Sequence, residues 1–170
     1  MTILSHETRA VVNAVVVIGV CVLAGCSSGG GTKRLDKNDY LSALRGIEAS
    51  DAARRASRLF FEVVADPSLS RRSCRVRTNE LHYVLGKIVT RVERLRPPAD
   101  VGQLQRRFVA AARDSVRAVG RAAGDVAAGK LHCGRPLNRR IYGLRSTMRA
   151  QAVLRELAKR GYILGLNAPD

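Results

Sequence analysis

Residues 81–95 read LHYVLGKIVTRVERL, and the spacing of their apolar side chains indicates the class of fold. These side chains recur at steps of three and four residues, which is the period of one face of an α-helix. The stripe consists of Leu81, Val84, Leu85, Ile88, Val92 and Leu95. Arg96-Pro97-Pro98 ends the helix, because a residue before proline is disfavoured in the α region. We therefore predict a helix from about Ser73 to Leu95.

A segment before this stripe has the same period and predicts a helix from about Lys37 to Ala65. Asn38 or Asp39 is expected to cap its start, since a short polar side chain there accepts a hydrogen bond from a free backbone N–H. Asp66-Pro67 is expected to stop it.

Two further helices are predicted after the stripe. The third opens with Asp100-Val101-Gly102-Gln103, an acidic variant of the capping box, and runs to about Gly129. The fourth begins near Pro136 or Asn138 and runs to about Arg160, with Gly161 where a helix-ending glycine belongs. Its expected apolar side consists of Leu137, Ile141, Leu144, Met148, Ala152, Leu154 and Leu157.

Four amphipathic helices with short connections favour an all-α fold, an up-down-up-down four-helix bundle. Aromatic residues make up 4% of the chain and there is no Trp, so the core must be aliphatic. The short apolar stretch 162–166 is expected to fold back on the bundle. Residues 36–170 form the predicted domain.

The chain begins with a different kind of segment. Residues 10–24 read AVVNAVVVIGVCVLA, an apolar run that suits a signal-peptide core and is shorter than the roughly 20 residues of a membrane span. The run ends in Leu23-Ala24-Gly25-Cys26, which resembles the lipobox of bacterial lipoproteins at all four positions. That resemblance implies cleavage after residue 25 and a lipid on Cys26. The alternatives are an uncleaved anchor or an ordinary signal peptide with a chance match.

Residues 26–35 then form the predicted lipidated start and a flexible Gly/Ser tether. The chain resembles small Arg- and Ala-rich helical lipoproteins of actinobacteria, a resemblance that implies anchoring by lipid on the extracytoplasmic face of the cell membrane. It implies no functional residue beyond Cys26.

The mature chain keeps two cysteines, Cys74 and Cys133. Exported proteins meet oxidising conditions, which favours a disulfide. Cys74 lies where the second predicted helix starts and Cys133 lies after the third, so an up-down bundle places both at one end. The alternatives are two free thiols, or a metal site with His132. We expect no metal, because His132 and Cys133 supply too few ligands.

The formal net charge is +16, and most of the basic residues are arginine. Removing residues 1–25 takes away one acid, Glu7, and one base, Arg9, so the mature chain keeps this charge. For an exported protein we expect no nucleic acid as partner, and anionic lipids or wall polymers instead. The candidate anion-binding residues are Arg71, Arg72, Arg75, Arg139, Arg140, Arg145 and Arg149. The alternative is that these arginines are solvated helix faces.

No catalytic motif is evident, and neither His82 nor His132 belongs to one. We predict a non-enzymatic cell-envelope protein, without cofactor, that binds a partner or an anionic surface. The alternative is a carrier of an apolar or anionic small molecule within the bundle, which a cavity would favour. An enzyme would need polar groups converging around His82.

Overall fold

The computed structural model describes residues 34–142 and 145–162, and every secondary-structure element in those ranges is helical. The predicted all-α class is confirmed. The six α-helices are α1 (Lys37–Glu48), α2 (Asp51–Ala65), α3 (Arg71–Arg94), α4 (Gly102–Ala127), α5 (Arg135–Tyr142) and α6 (Arg145–Lys159), with a 3₁₀ turn at Ala99–Val101. None of these helices combines the length and apolarity that a bilayer span requires. The predicted signal peptide, the lipobox with Cys26 and most of the tether lie outside the described residues.

The first predicted helix, 37–65, is wrong as a single helix, because helical structure is interrupted at Ala49 and Ser50. Ser50 has an extended backbone, and its hydroxyl accepts a hydrogen bond from the N–H of Ala53, so it caps a new helix. The same hydroxyl donates to Ile47 O at the end of α1. The predicted cap of α1 is also wrong, since Asp36 rather than Asn38 or Asp39 takes that role.

The predicted capping box at residues 100–103 is wrong as well. Asp100 lies in the 3₁₀ turn, and α4 begins at Gly102 without a side-chain cap. The Asp100 carboxylate instead accepts a hydrogen bond from the hydroxyl of Tyr162, at 3.1 Å. The Asp100 carboxylate, which was predicted to cap a helix, therefore makes a tertiary contact instead.

Cross-helix contacts fix the directions of the helices. α3 and α4 run antiparallel, because Glu93 pairs with Arg113 while Arg71 donates to Ala127 O. α6 runs antiparallel to α4, since the Ser115 and Ser146 hydroxyls are 3.0 Å apart and Arg107 pairs with Glu156 further along. α2 runs antiparallel to α3 through the ion pairs Arg55–Glu80 and Arg77–Glu62.

The buried face of α6 differs from the predicted one. Met148 is 70% exposed and Ala152 is also exposed, whereas Val153 is buried. The buried small hydroxyl residues Ser146 and Thr147 are part of the inward face, and Ser146 contacts Ser115 of α4 directly, which turns Met148 outward. The end of the helix agrees with prediction: Gly161 has a φ of +76°, and the N–H of the following residue, Tyr162, bonds to Leu157 O.

The predicted disulfide is present. Cys74 in the first turns of α3 bonds to Cys133 just before α5, with Cα atoms 5.8 Å apart. Both cysteines are buried. The N–H of Gly134 donates to Val63 O beside the bond, so the end of α2 is held there too. The structure thus has a disulfide end, and an opposite end where Leu35 N–H donates to Arg96 O.

Candidate functional site

A cavity of about 60 Å³, partly open to solvent, lies between α1, α3, α4 and α6. It is near the end opposite the disulfide, because its walls come from the last turns of α3 and α6 and the first turns of α4. Its lining is aliphatic and aromatic except for two polar residues, Glu48 and Gln105. The full lining is Tyr40, Leu44, Ile47, Glu48, Ile88, Val89, Val92, Gln105, Phe108, Ala112, Leu154 and Leu157.

The α1 wall of the cavity follows from helical spacing. Tyr40, Leu44, Ile47 and Glu48 are separated by steps of four, three and one, so they share one face. The first three are buried apolar residues. Glu48 continues that face at the last position of α1, where an aliphatic residue is expected, and it is only 5% exposed.

The Glu48 carboxyl group is held in an unfavourable place for a charge. Among the described residues, no donor bonds to its buried Oε1. Burial raises the pKa of Glu48 to about 7, and the nearby positive charge of Arg45 offsets only part of that rise. The carboxyl group therefore changes protonation near neutral pH rather than well below it.

Gln105 supplies the second buried oxygen, and its side chain is 6% exposed. Its Nε2 donates to Val92 O at 3.2 Å and to Leu95 O at 2.9 Å, the carbonyls at the end of α3. Turning the amide over would bring its oxygen against two carbonyl oxygens, so these contacts fix its orientation. Its Oε1 accepts no hydrogen bond from the described residues.

Two residues of the cavity wall thus carry a buried acceptor without a donor among the described residues. A buried acceptor without a donor costs about 1–3 kcal/mol, and such groups are few in native proteins. Both oxygens are enclosed by protein atoms, so the surface that the cavity offers to a molecule is apolar. Neither residue was singled out from the sequence, although Glu48 lies four residues after Leu44 on the apolar face of α1.

The seven arginines of the predicted anion-binding set are all exposed, and they do not form one cluster. Five of them lie at or near the disulfide end: Arg71, Arg72 and Arg75 in the first turns of α3, and Arg139 and Arg140 on α5. Arg145 and Arg149 lie further along, beside the middle of α4. Three have partners: Arg140 pairs with Asp125 at 3.6 Å, Arg149 pairs with Asp114 at 3.0 Å, and Arg71 donates to Ala127 O.

The histidines do not gather polar groups around them in the described structure. The His82 ring packs on Gly120, where an added Cβ would lie 2.9 Å from its Nε2. His132 is exposed beside the disulfide. In the described ranges, no three His, Cys, Asp or Glu side chains are grouped as a metal site would require. Comparisons with known proteins found no matching family model, no similar curated protein and no similar solved structure.

Proposed function

We propose that this chain is a lipid-anchored cell-envelope protein whose helical domain binds a small, largely apolar molecule in the cavity. The observation that carries the proposal is the cavity itself, which is partly open to solvent and lined almost wholly by apolar side chains of four helices. An apolar cavity with a few fixed polar groups is the usual form of a small-molecule site. The proposal takes up the carrier alternative that the sequence left open.

The anchor remains part of the proposal. Cys26 would carry the lipid, and the tether would enter the domain at Arg34 and Leu35. Leu35 is hydrogen-bonded to Arg96 O, at the end of the molecule that contains the cavity. A tether from Cys26 would therefore join the domain at the end that contains the cavity.

The bundle topology is also proposed. We take α1 with α2 as the first helix of an up-down-up-down bundle, and α5 with α6 as the fourth. The antiparallel pairings α2–α3, α3–α4 and α4–α6 support this arrangement. In such a bundle, the space between helices near one end is a common place for a ligand.

Methyl NMR of Ile47 and Ile88 tests the cavity. The sample is the mature chain, residues 26–170, with Cys26→Ser so that it stays in solution, and the probes are xenon and 1-butanol. Both probes should shift these methyl signals. Ala112→Leu fills the cavity from its wall and should abolish the shifts, whereas Ala110→Leu, on the exposed side of the same helix, should not. Unchanged methyl signals with both probes would contradict the proposal.

Mass spectrometry tests the anchor. The native chain in the membrane fraction should begin at Cys26 and carry a diacylglyceryl mass. The Cys26→Ser chain should lack that mass and leave the membrane fraction. Equal membrane retention of both chains would refute anchoring through Cys26.

A second candidate function is binding of an anionic surface, favoured by the arginines at the disulfide end. Arg72, Arg75 and Arg139 are exposed there and have no acidic partner among the described residues. Each positive charge contributes about 1 kcal/mol at an anionic membrane. Guanidinium groups also suit phosphate and carboxylate groups.

Vesicles containing phosphatidylglycerol test this second candidate. Replacing Arg72, Arg75 and Arg139 by Gln should weaken binding by about 100-fold at low salt, at about 1 kcal/mol for each charge. The control replaces three exposed arginines nearer the other end, Arg91, Arg94 and Arg106. An equal loss in both triple variants would show that only net charge matters.

A further inference from the structure

The outer face of α3 carries apolar and cationic side chains next to one another. Its residues are spaced by three and four positions, so they lie on one side of the helix, and all are exposed: Arg72, Val76, Asn79, Tyr83 and Lys87. Val76 and Tyr83 are 52% and 61% exposed and lie about 10 Å apart along the helix axis. The other exposed large apolar side chains of the described residues, Phe61 and Met148, lie singly on α2 and α6.

The positive charge of this face is not neutralised by neighbouring acids. α3 has seven basic and two acidic residues, and each of the two glutamates pairs with an arginine of an adjacent helix. Arg72 and the adjacent Arg75 have no acidic partner among the described residues. The Lys87 Nζ lies 4.4 Å from the centroid of the Tyr83 ring, which brings a cation to the larger of the two apolar groups. A partner for this face must therefore be anionic and must also accept apolar side chains.

An anionic phospholipid bilayer has both properties, because its charged headgroups lie directly above an apolar layer. Tyrosine suits that boundary, since its ring is apolar and its hydroxyl is polar. A second copy of the chain would bring an equal positive charge to the same face, which opposes self-association there. Peptides are commonly bound in a groove or at a sheet edge, and the convex outer face of a helix is neither.

We infer that the outer face of α3 docks on an anionic phospholipid bilayer, with the side chains of Val76 and Tyr83 entering the headgroup region. The inference rests on the anion binding proposed above as the second candidate function, and it specifies the partner and the contact surface. A tether from Cys26 would join the domain beside the carboxyl end of α3, where the Leu35 N–H donates to Arg96 O. The lipid anchor would therefore keep this helix close to the bilayer.

Tryptophan fluorescence tests the contact, because the chain contains no Trp and Tyr83→Trp therefore gives a single reporter. The sample is the mature chain with Cys26→Ser, mixed with vesicles of phosphatidylglycerol and phosphatidylcholine at low salt. The emission should move to shorter wavelength, and lipids brominated near the headgroup end of their acyl chains should quench it. Vesicles of phosphatidylcholine alone should leave the emission unchanged.

The matched control for the reporter is Met148→Trp. Met148 is 70% exposed and lies on α6 beside Arg145 and Arg149, so this reporter also has cationic neighbours. Its emission should remain that of a side chain in water when the same vesicles are added, because α6 is outside the inferred contact surface.

Dissociation constants for the same vesicles separate the apolar contribution from the charge. Tyr83→Ser should weaken binding by about 10-fold, because the apolar ring no longer enters the headgroup region. Val76→Ser should cause a smaller loss, since its side chain is smaller. Met148→Ser removes an exposed apolar side chain from α6 and should leave binding unchanged.

The possible failures are distinguishable. If Tyr83→Trp emission is unchanged while binding still depends on Arg72, Arg75 and Arg139, the second candidate function stands and the inferred contact surface is wrong. Equal shifts of both tryptophans would mean that the domain binds without a preferred face. If soluble polyglutamate shifts the Tyr83→Trp emission and vesicles do not, the partner is an acidic polypeptide instead of a bilayer. If the vesicles are not bound at all, the second candidate and this inference fail together, whereas the xenon experiment tests the cavity separately.

Discussion

Glu48 combines two features that oppose each other energetically. Its position on the inward face of α1 buries it, while its carboxylate lies at the carboxyl end of a helix, where the helix dipole disfavours negative charge. Burial of this kind is the first cause of its raised pKa. The position therefore favours the neutral carboxyl group in the folded chain.

Glu48 should make stability fall with rising pH. Its pKa is higher in the folded chain, about 7, than in the unfolded chain, so the folded state binds the proton more tightly. The contribution is fully present below about pH 4.5 and is lost as the pH rises through 7. Above pH 7, Glu48→Gln should raise the free energy of unfolding, by up to about 3 kcal/mol.

Urea denaturation at pH 4.5 and pH 8 measures this effect as the difference between wild type and Glu48→Gln. Glu93→Gln is the control, because it makes the same substitution at an exposed glutamate outside the cavity. If Glu48→Gln has the same effect on unfolding at both pH values, the raised pKa is refuted.

At the scale of elements, the break between α1 and α2 shapes the cavity. Tyr40, Leu44, Ile47 and Glu48 of α1 form one wall of it, whereas no residue of α2 lines it. Ser50 ends one helix and starts the other by bonding to backbone groups on both sides. The Arg54 side chain also donates a hydrogen bond to Ala49 O, so several hydrogen bonds stabilise the interruption between α1 and α2.

Ser50→Ala should lower the free energy of unfolding by about 1 kcal/mol, because the N–H of Ala53 loses its capping acceptor. Chemical denaturation measures this change in the free energy of unfolding. Ser57→Ala, within α2 and away from its cap, is the matched control and should be neutral or slightly stabilising, since alanine is the better helix former. A similar loss in both variants would mean that the cap does not hold the break.

At the scale of the whole molecule, the two ends differ in character. One end has the disulfide, the start of α3 and five of the seven arginines of the predicted anion-binding set. The other has the cavity, the hydrogen bond from Leu35 to Arg96, and the ring of Tyr162 packed on Tyr40 at 6.0 Å. α3 separates the ends by about 36 Å, given its 24 residues. The arginines proposed to bind anions and the cavity proposed to bind a small molecule thus lie in different regions.

Replacing both cysteines by alanine should lower the free energy of unfolding by about 4 kcal/mol, because the disulfide links residues separated by 59 positions and restricts the unfolded chain. Guanidinium denaturation measures the free energy of unfolding of both proteins. A reductant should lower the stability of the wild type and leave the double variant unchanged. Equal stability of the oxidised wild type and the double variant would contradict this account.

The sequence by itself determined the helical class, most of α3 and α4, and the partner of Cys74. Helical period is a local property, and the cysteine pairing needed only the order and lengths of the predicted helices. The break at Ser50, the outward turn of Met148 and the contact of Asp100 with Tyr162 were decided by the tertiary structure. Local sequence offers several backbone and side-chain partners of similar energy, and packing between helices selects among them.

The cavity belongs wholly to the tertiary structure. Glu48 and Gln105 are 57 positions apart, and on sequence alone each is an ordinary polar residue of an amphipathic helix. The two residues line one cavity only because α1 lies against the end of α3 and the start of α4. The burial of these two residues depends on how the faces of different helices pack together. The helical period of one segment gives no information about that packing.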